Sequence, residues 1–256
     1  GVLEAHHRGV VTSATVLANL PSAGEAVDEA KRSPGLGLGL HLNLTEGKSL
    51  GRGHATLAAP DRSFWGKAET RRLLRAGLVD PAEIRREIEA QLDWFSIRGL
   101  KPTHVDGHHH VHIYPGVMGP LSEALRARGI RRIRLPQALL GGTAGIPADR
   151  LEAVREYAGL TPDARHLAEA AALQSTEAFL GMTLMGDMTV PAVLEVLAGA
   201  PEGVTEVMAH PGYADPVSGG FSNTEREKEL ALLVDPALRE GLGRLGFRLA
   251  SFAALD

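Results

Sequence analysis

An α/β fold built on parallel strands is what this sequence predicts, and three observations predict it. Strand-like and helix-like stretches alternate from end to end; several strand-like stretches run directly into a histidine; and 44% of the 256 residues are hydrophobic against 23% charged, enough to bury a large core. At this length the chain reads as a single domain over residues 1–256.

Taken in order, Gly1 to His7 resembles the second half of an amphipathic helix, with neither a cap residue nor a Met before it, so a preceding segment is expected. Val10 to Ala18, rich in Val and Thr, reads as a strand; Ser22 caps a helix to about Arg32, and Gly35 to Thr45 is the second strand. The helix from Pro81 to Arg98 is the best marked, with Asp80 at the cap, Pro81 at the first helical position and Glu83 completing a capping box. Ile84, Ile88, Leu92 and Phe95 share one face, and Gly99 ends the run before Pro102. Thr103 to Asp106 follows as a strand, Pro115 to Arg128 as a helix and Ile130 to Leu135 as a strand. Further on come a helix at Thr189 to Ala198, a strand at Val204 to Ala209, helices at Asn223 to Leu233 and Pro236 to Leu245, and a short strand at Phe247 to Ala250. Glu46 to Lys67 and Pro136 to Pro147 are long, rich in Gly and Pro, and read equally as lids or as surface excursions.

Composition removes several classes of function. The formal charge of -4, the pI near 6.3 and the scatter of 27 Lys and Arg leave no basic field for nucleic acid. Without cysteine there can be no disulfide, thiolate zinc site or cysteine nucleophile, which fits a reducing, cytoplasmic setting. No apolar run is long enough for a membrane span, and no signal-like start is present. Oligomeric state is not fixed by the sequence, and a homodimer stays open.

The chemistry concentrates in imidazoles. Five of eleven histidines fall within nine residues, in Thr103-His104-Val105-Asp106-Gly107-His108-His109-His110-Val111-His112. Neutral imidazole binds divalent metal and moves protons near neutral pH. In an extended strand His104, Asp106 and His108 share a face while Val105 turns into packing, and Gly107 marks the strand end. His108 then stands just past a C-terminal edge, with Asp106 placed to orient an imidazole. For His109, His110 and His112, on the following loop, a hydrogen-bonded loop histidine is at least as good a reading as a ligand.

Gly35 to Thr45 has strict period two: the even positions from Leu36 to Leu44 are leucines, and the other face is glycine until His41 and Asn43. That pattern suits a crowded barrel interior opening into a site at the strands' C-terminal ends. The Gly-Leu repeat leads into no helix, so it is not a dinucleotide fingerprint. A third strand-to-histidine passage is Val204-Thr205-Glu206-Val207-Met208-Ala209-His210-Pro211-Gly212-Tyr213, where the Pro-Gly turn would set His210 rigidly as a ligand or, preferably, a general acid. Arg132 and Arg134 could hold a substrate oxygen or a carboxylate, although a solvated strand-end charge is the commoner case.

Together, Gly-Leu-His-Leu-Asn-Leu-Thr, the histidine run, Ile-Arg-Leu-Pro and Ala-His-Pro-Gly-Tyr resemble the YdjC-like carbohydrate deacetylases over nearly the whole chain. The resemblance implies a distorted (β/α) TIM-like barrel that removes N-acetyl groups from amino sugars such as chitooligosaccharides, using one divalent ion, magnesium by family precedent. By matching position it assigns the two histidine ligands to His41 and His108. The family's Asn-Ala-Asp-Asp-Phe-Gly segment, which supplies a ligand carboxylate and the base, has no counterpart here, so the first strand is expected upstream of Gly1. On ligand chemistry zinc, manganese, iron or cobalt would also suit. His210 would protonate the departing amine, Asp106 would assist catalysis, and Asn43, Arg134 and Tyr213 would meet the substrate. Sugar stacking would rest on Trp65, Phe64 or Tyr213, for all of which packing is the plainer reading. A metal-dependent hydrolase of another substrate class, such as a phosphoesterase, and a non-catalytic metal or sugar binder are the alternatives.

Overall fold

The computed structural model of the protein describes residues 1–137, 140–141, 146–184, 186, 188–215 and 222–255, the side chain at position 149 excepted. The chain begins with α1 (Val2–Arg8), β1 (Ser13–Val16), α2 (Ala23–Ala30), β2 (Gly37–Leu42), α3 (Lys67–Arg75), α4 (Pro81–Ile97) and β3 (Val105–Gly107). A 3-10 segment (His108–Ile113) leads to α5 (Pro115–Ala127), α6 (Ala148–Ala170), β4 (Ala178–Leu180), α7 (Val190–Leu197), β5 (Thr205–Val207), α8 (Thr224–Val234), α9 (Pro236–Arg244) and a final 3-10 turn (Phe252–Ala254). These fall into two compact units, one of residues 15–135, 159–175 and 252–256, the other of 1–14, 136–158 and 176–251.

The first unit holds a three-stranded sheet in the order β1-β2-β3, with β2 and β3 parallel and His41 in register with Asp106. The leucine alternation of β2 does what period two requires: Leu40, Leu42 and Leu44 are fully buried. The glycines of the opposite face make room, since a methyl group on Gly39 would lie 2.7 Å from the His104 ring, which itself stacks on Phe252 with centroids 4.1 Å apart. Ile84, Ile88, Leu92 and Phe95 of α4 are buried as their spacing predicts. Left-handed Gly99 (φ 67°) closes that helix, with the Leu100 amide donating to the Phe95 carbonyl at 3.1 Å.

The start of α4 departs from expectation. Asp80 caps the helix by accepting from the Ala82 amide at 2.8 Å, but Glu83 does not reach back to complete a capping box. Its carboxylate instead takes the amides of Ala55, Thr56 and Leu57 at 2.8, 2.9 and 2.9 Å, and the Asp80 amide donates to the Thr56 hydroxyl. Three amides and the Thr56 hydroxyl, which also donates to Glu83 at 2.9 Å, outcompete one helical amide. Ser22 likewise stands before α2 without making a side-chain cap.

The second unit pairs β4 with β5 in parallel, Ala178 opposite Thr205 and Leu180 opposite Val207. Its core gathers Leu180, Met188, Val193, Leu197, Leu232 and Leu238, and Ala5 of α1 packs with Leu230 and Leu233 of α8.

The fold is therefore mixed α/β with parallel sheets, and no closed barrel is found among the described residues. Residues 130–135 form no continuous strand. They touch β3 through isolated bridging, the Val105 amide donating to the Arg132 carbonyl and the Arg134 amide to the Val105 carbonyl, while the Ile133 amide turns to the Gln174 carbonyl. Residues 247–250 are irregular, tied to the chain start by Thr12 donating to the Ala250 carbonyl at 2.7 Å. Of the loop from Pro136 to Pro147, positions 138–139 and 142–145 lie outside the described residues. No helix is long and apolar enough to cross a membrane among the described residues.

Candidate functional site

The β2–β3 register builds the centre of the site. His41 and Asp106 are cross-strand partners, and His41 Nδ1 donates to Asp106 Oδ1 at 2.6 Å. The other oxygen, Oδ2, accepts from the Thr15 hydroxyl at 3.2 Å and from Arg134 Nη1 at 2.6 Å. Asp106 is fully buried; burial alone would raise its carboxyl, but the Arg134 guanidinium and His41 outweigh it and hold the group well below the usual carboxylate range. An ionised carboxylate accepting from Nδ1 keeps the proton on that nitrogen and fixes the orientation of the His41 ring.

Past β3 the chain changes conformation. A methyl group on Gly107 would lie 2.5 Å from His112 Nδ1, so the strand ends against that ring. His109 and His110 then both adopt the left-handed region, with φ of 52° and 53°. Two consecutive non-glycine residues there cost about 1–2 kcal/mol each, strain that persists only where surrounding contacts impose it. The turn separates the histidines into two groups. His110 and His112 go inside, His112 Nε2 donating to the Arg134 carbonyl at 2.9 Å. His108 and His109 stay at the edge with ring centroids 3.9 Å apart, and the His108 ring sits edge-on to His41 at 5.3 Å.

Burial pushes these imidazoles down: His104, His108 and His112 to about 4, His109 to about 3, and His110 well below its ordinary value. At neutral pH they are uncharged, the form in which imidazole donates a lone pair.

Glu46 is brought beside them by the turn after β2. Asn43 is fully buried and its amide is committed within the protein: Oδ1 accepts from the Thr45 and Glu46 amides at 2.9 and 3.1 Å, and Nδ2 donates to Asn19 Oδ1 and the Glu46 carbonyl. Its main chain is gripped in turn by Gln91 of α4, whose Oε1 accepts from the Asn43 amide at 3.0 Å and whose Nε2 donates to the Asn43 carbonyl at 2.6 Å. Glu87, one turn earlier on that helix, holds the Leu50 and Gly51 amides at 3.0 and 2.7 Å. Glu83, Glu87 and Gln91 thus form a polar ladder that straps the segment from Glu46 onward against α4. The Glu46 carboxylate comes to lie 3.3 Å from His108 Nε2 and 3.7 Å from His109 Nε2.

Among the described residues, Glu46, His108 and His109 are the set whose donor atoms all lie within 4.8 Å of one another and could hold a metal ion. His41 is outside that set, although it neighbours His108. Sequence reasoning passed over Glu46 and gave His109 no preference. The available signal was Asn43 two residues past His41, a turn former that directs the next carboxylate back toward the strand end.

The remaining expected residues fall elsewhere. Arg134 is buried against Asp106, and Arg132 donates to the Leu255 carbonyl at 2.8 Å, so both arginines serve the protein's own oxygens. Phe64 is buried, whereas Trp65 is 41% exposed with its indole N–H on the Thr56 carbonyl. His210 and Tyr213 belong to the other unit. There the His210 amide donates to Glu229, its Nδ1 lies 3.7 Å from the same oxygen, and Arg226 pairs with the second oxygen at 2.7 Å. Burial would raise the Glu229 carboxyl, but the bonds from His210 and the charge of Arg226 keep it low. Tyr213 is exposed, its hydroxyl donating to Glu4.

Residues 1–244 match the model of the YdjC-like protein family. The whole chain aligns at 38% identity with a human carbohydrate deacetylase, covering 86% of it. A carbohydrate deacetylase of Geobacillus stearothermophilus is 35% identical over 98% of this chain and 89% of its own, and a chitooligosaccharide deacetylase of Yersinia enterocolitica 30% identical over 99% and 91%. Among solved structures, an Enterococcus faecalis protein provisionally described as a cellobiose-phosphate cleavage protein superposes with a TM-score of 0.78 at 25% identity, over 98% of this chain and 90% of that one.

Proposed function

This chain belongs to the YdjC-like family, and from that premise we propose that it is a carbohydrate deacetylase, a hydrolase that takes N-acetyl groups from amino sugars such as chitooligosaccharides, with residues 1–256 acting as one catalytic domain. The observation that carries the reading is the His41–Asp106 pair, an imidazole fixed by a buried carboxylate, beside a second imidazole at His108. A parallel strand–helix order in each unit supports a distorted (β/α) barrel as its scaffold.

A divalent ion fits these residues, because His108 Nε2 is buried with no hydrogen-bond partner and His41 presents its outer nitrogen nearby. His41 and His108 would hold it, as the family pattern assigns. Two imidazoles with a carboxylate suit zinc, manganese, iron or cobalt, and family precedent adds magnesium. When bound, such an ion polarises an acetyl carbonyl and makes water acidic enough to attack at neutral pH.

The chain's own groups do the rest. Asp106 is a positioning residue: held ionised by Arg134, it keeps the Nδ1 proton on His41 and so fixes the direction of Nε2. The departing amine needs a proton, and His210 is the donor we assign. Its support lies in its own unit, where Glu229 carries the imidazole and Pro211-Gly212 fixes the turn. Trp65 in one unit and Tyr213 in the other are each exposed, and each offers a ring on which a sugar face could stack.

The test is a substrate panel with added magnesium, manganese or zinc. Acetate should be released from N-acetylglucosamine oligomers and not from their deacetylated counterparts, with phosphorylated sugars left intact. Phosphate release without acetate, or saturable sugar binding with no turnover, would replace this reading by a phosphoesterase or a binding protein.

A further inference from the structure

We infer that Glu46, with His108 and His109, forms a cation site whose carboxylate this chain supplies itself. The inference rests on the metal reading above and goes beyond it, since that reading asks only for His41 and His108.

The distances fit an ion better than they fit direct hydrogen bonds. Ligands about 2.1 Å from a tetrahedral ion stand roughly 3.4 Å apart. The Glu46 carboxylate lies 3.3 Å from His108 Nε2 and 3.7 Å from His109 Nε2, and all three donors fall within 4.8 Å of one another. Neither separation is a short hydrogen bond, and His108 Nε2 is buried without any hydrogen-bond partner.

Each donor is also held from behind. The Thr45 hydroxyl meets His109 Nδ1 at 3.0 Å, which turns Nε2 toward Glu46. Asn43 takes the Glu46 amide at 3.1 Å, and Asn19 Nδ2 donates to its carbonyl at 2.9 Å, so a half-exposed carboxylate sits on a fixed main chain. Gly47, left-handed at φ 71°, turns the chain away immediately afterwards. The left-handed conformation of His109 is the strain that places its ring beside that of His108, and strain maintained at a cluster of donors points to a ligand. Two nitrogens and one oxygen select a borderline cation such as zinc, manganese or cobalt.

The experiment titrates the intact chain with Mn²⁺, following free ion by electron paramagnetic resonance and heat by calorimetry, with melting temperature recorded without metal. Glu46→Gln keeps the size of the side chain and the main-chain bonds of the turn. It should weaken Mn²⁺ binding by at least about tenfold while the metal-free melting temperature holds, whatever His41→Ala does. If His41→Ala weakens binding and Glu46→Gln leaves it within about twofold, the ion rests on His41 and His108, and this inference is overturned while the metal reading stands. If the wild-type chain shows no saturable Mn²⁺ binding, both fail.

Discussion

His41 and Asp106 face each other across the β2–β3 register with Nδ1 and Oδ1 2.6 Å apart, and the second oxygen of that carboxylate carries Arg134, also at 2.6 Å. One buried anion therefore links two parallel strands and the segment beyond β3. Because strand register has period two, a slip of one residue would turn His41 into the leucine-lined face and Asp106 away from it.

Replacing Asp106 with Asn should be costly. The shape survives, but the buried Arg134 charge loses its counter-ion and His41 loses the acceptor that fixes its tautomer. Breaking one side of a buried pair costs about 3–5 kcal/mol. Urea unfolding of Asp106→Asn against wild type measures it, and a loss below about 1 kcal/mol would show that the anion is dispensable.

Glu83 makes a pH-dependent contribution whose sign follows from its surroundings. Burial would raise the carboxyl, but the amides of Leu57, Thr56 and Ala55 lower it from 4.5 to about 2. A carboxylate depressed in the fold stabilises fully above its unfolded value, and that stabilisation is lost as pH falls from 4.5 toward 2. Glu83→Gln should thus be less stable than wild type by about 1–3 kcal/mol at pH 7, with the gap closing below pH 4. Melting curves across pH 2.5–7 would test this; a gap constant with pH would contradict it.

His104 acts in a higher window. Burial against Phe252 lowers it from 6.5 to about 4, so the unfolded chain takes up a proton before the folded one does. Its contribution is complete above pH 6.5 and is lost as pH falls toward 4, by on the order of 3 kcal/mol. Against a His104→Gln variant, the wild-type advantage in urea unfolding should shrink over that interval; an advantage that grows on acidification would reverse the sign.

The turn at Asn43 should matter more than an ordinary loop residue. Asn43→Ala removes an amide that holds the Thr45 and Glu46 amides, the Asn19 side chain and the Glu46 carbonyl. Leaving the buried Thr45 amide and the partly buried groups beside it without this partner costs roughly 1–3 kcal/mol. Chemical denaturation reads the loss, and a variant within 0.5 kcal/mol of wild type, on the order of the scatter for neutral surface substitutions, would contradict the role given to this turn.

Much of this was legible in the residues because it depends on local periodicity. The leucines of β2, the apolar stripe of α4 and the passage from strand to His41 or His108 follow from spacing alone. What was not legible depends on distant partners. Glu83 looked like a capping-box residue because nothing nearby announces that residues 55–57 will claim it. Glu46 looked like the first residue of a loop because its position is set by Gln91, 45 residues further along, through Asn43. The 23-residue α6 was not anticipated, since Gly159 and Pro162 inside it read as breakers. Spacing leaves Arg134 open between a substrate oxygen and a carboxylate, and the partner that takes it, Asp106, lies on the neighbouring strand.

The proposed deacetylase stands on imidazoles from neighbouring strand ends acting together at a bound metal. Acetate release from an N-acetylglucosamine oligomer, measured for wild type and His41→Ala with added divalent metal, tests it most directly. Turnover is expected in the wild type, with a loss of more than about 100-fold in a folded His41→Ala variant; turnover in that variant equal to wild type would rule out the proposed centre.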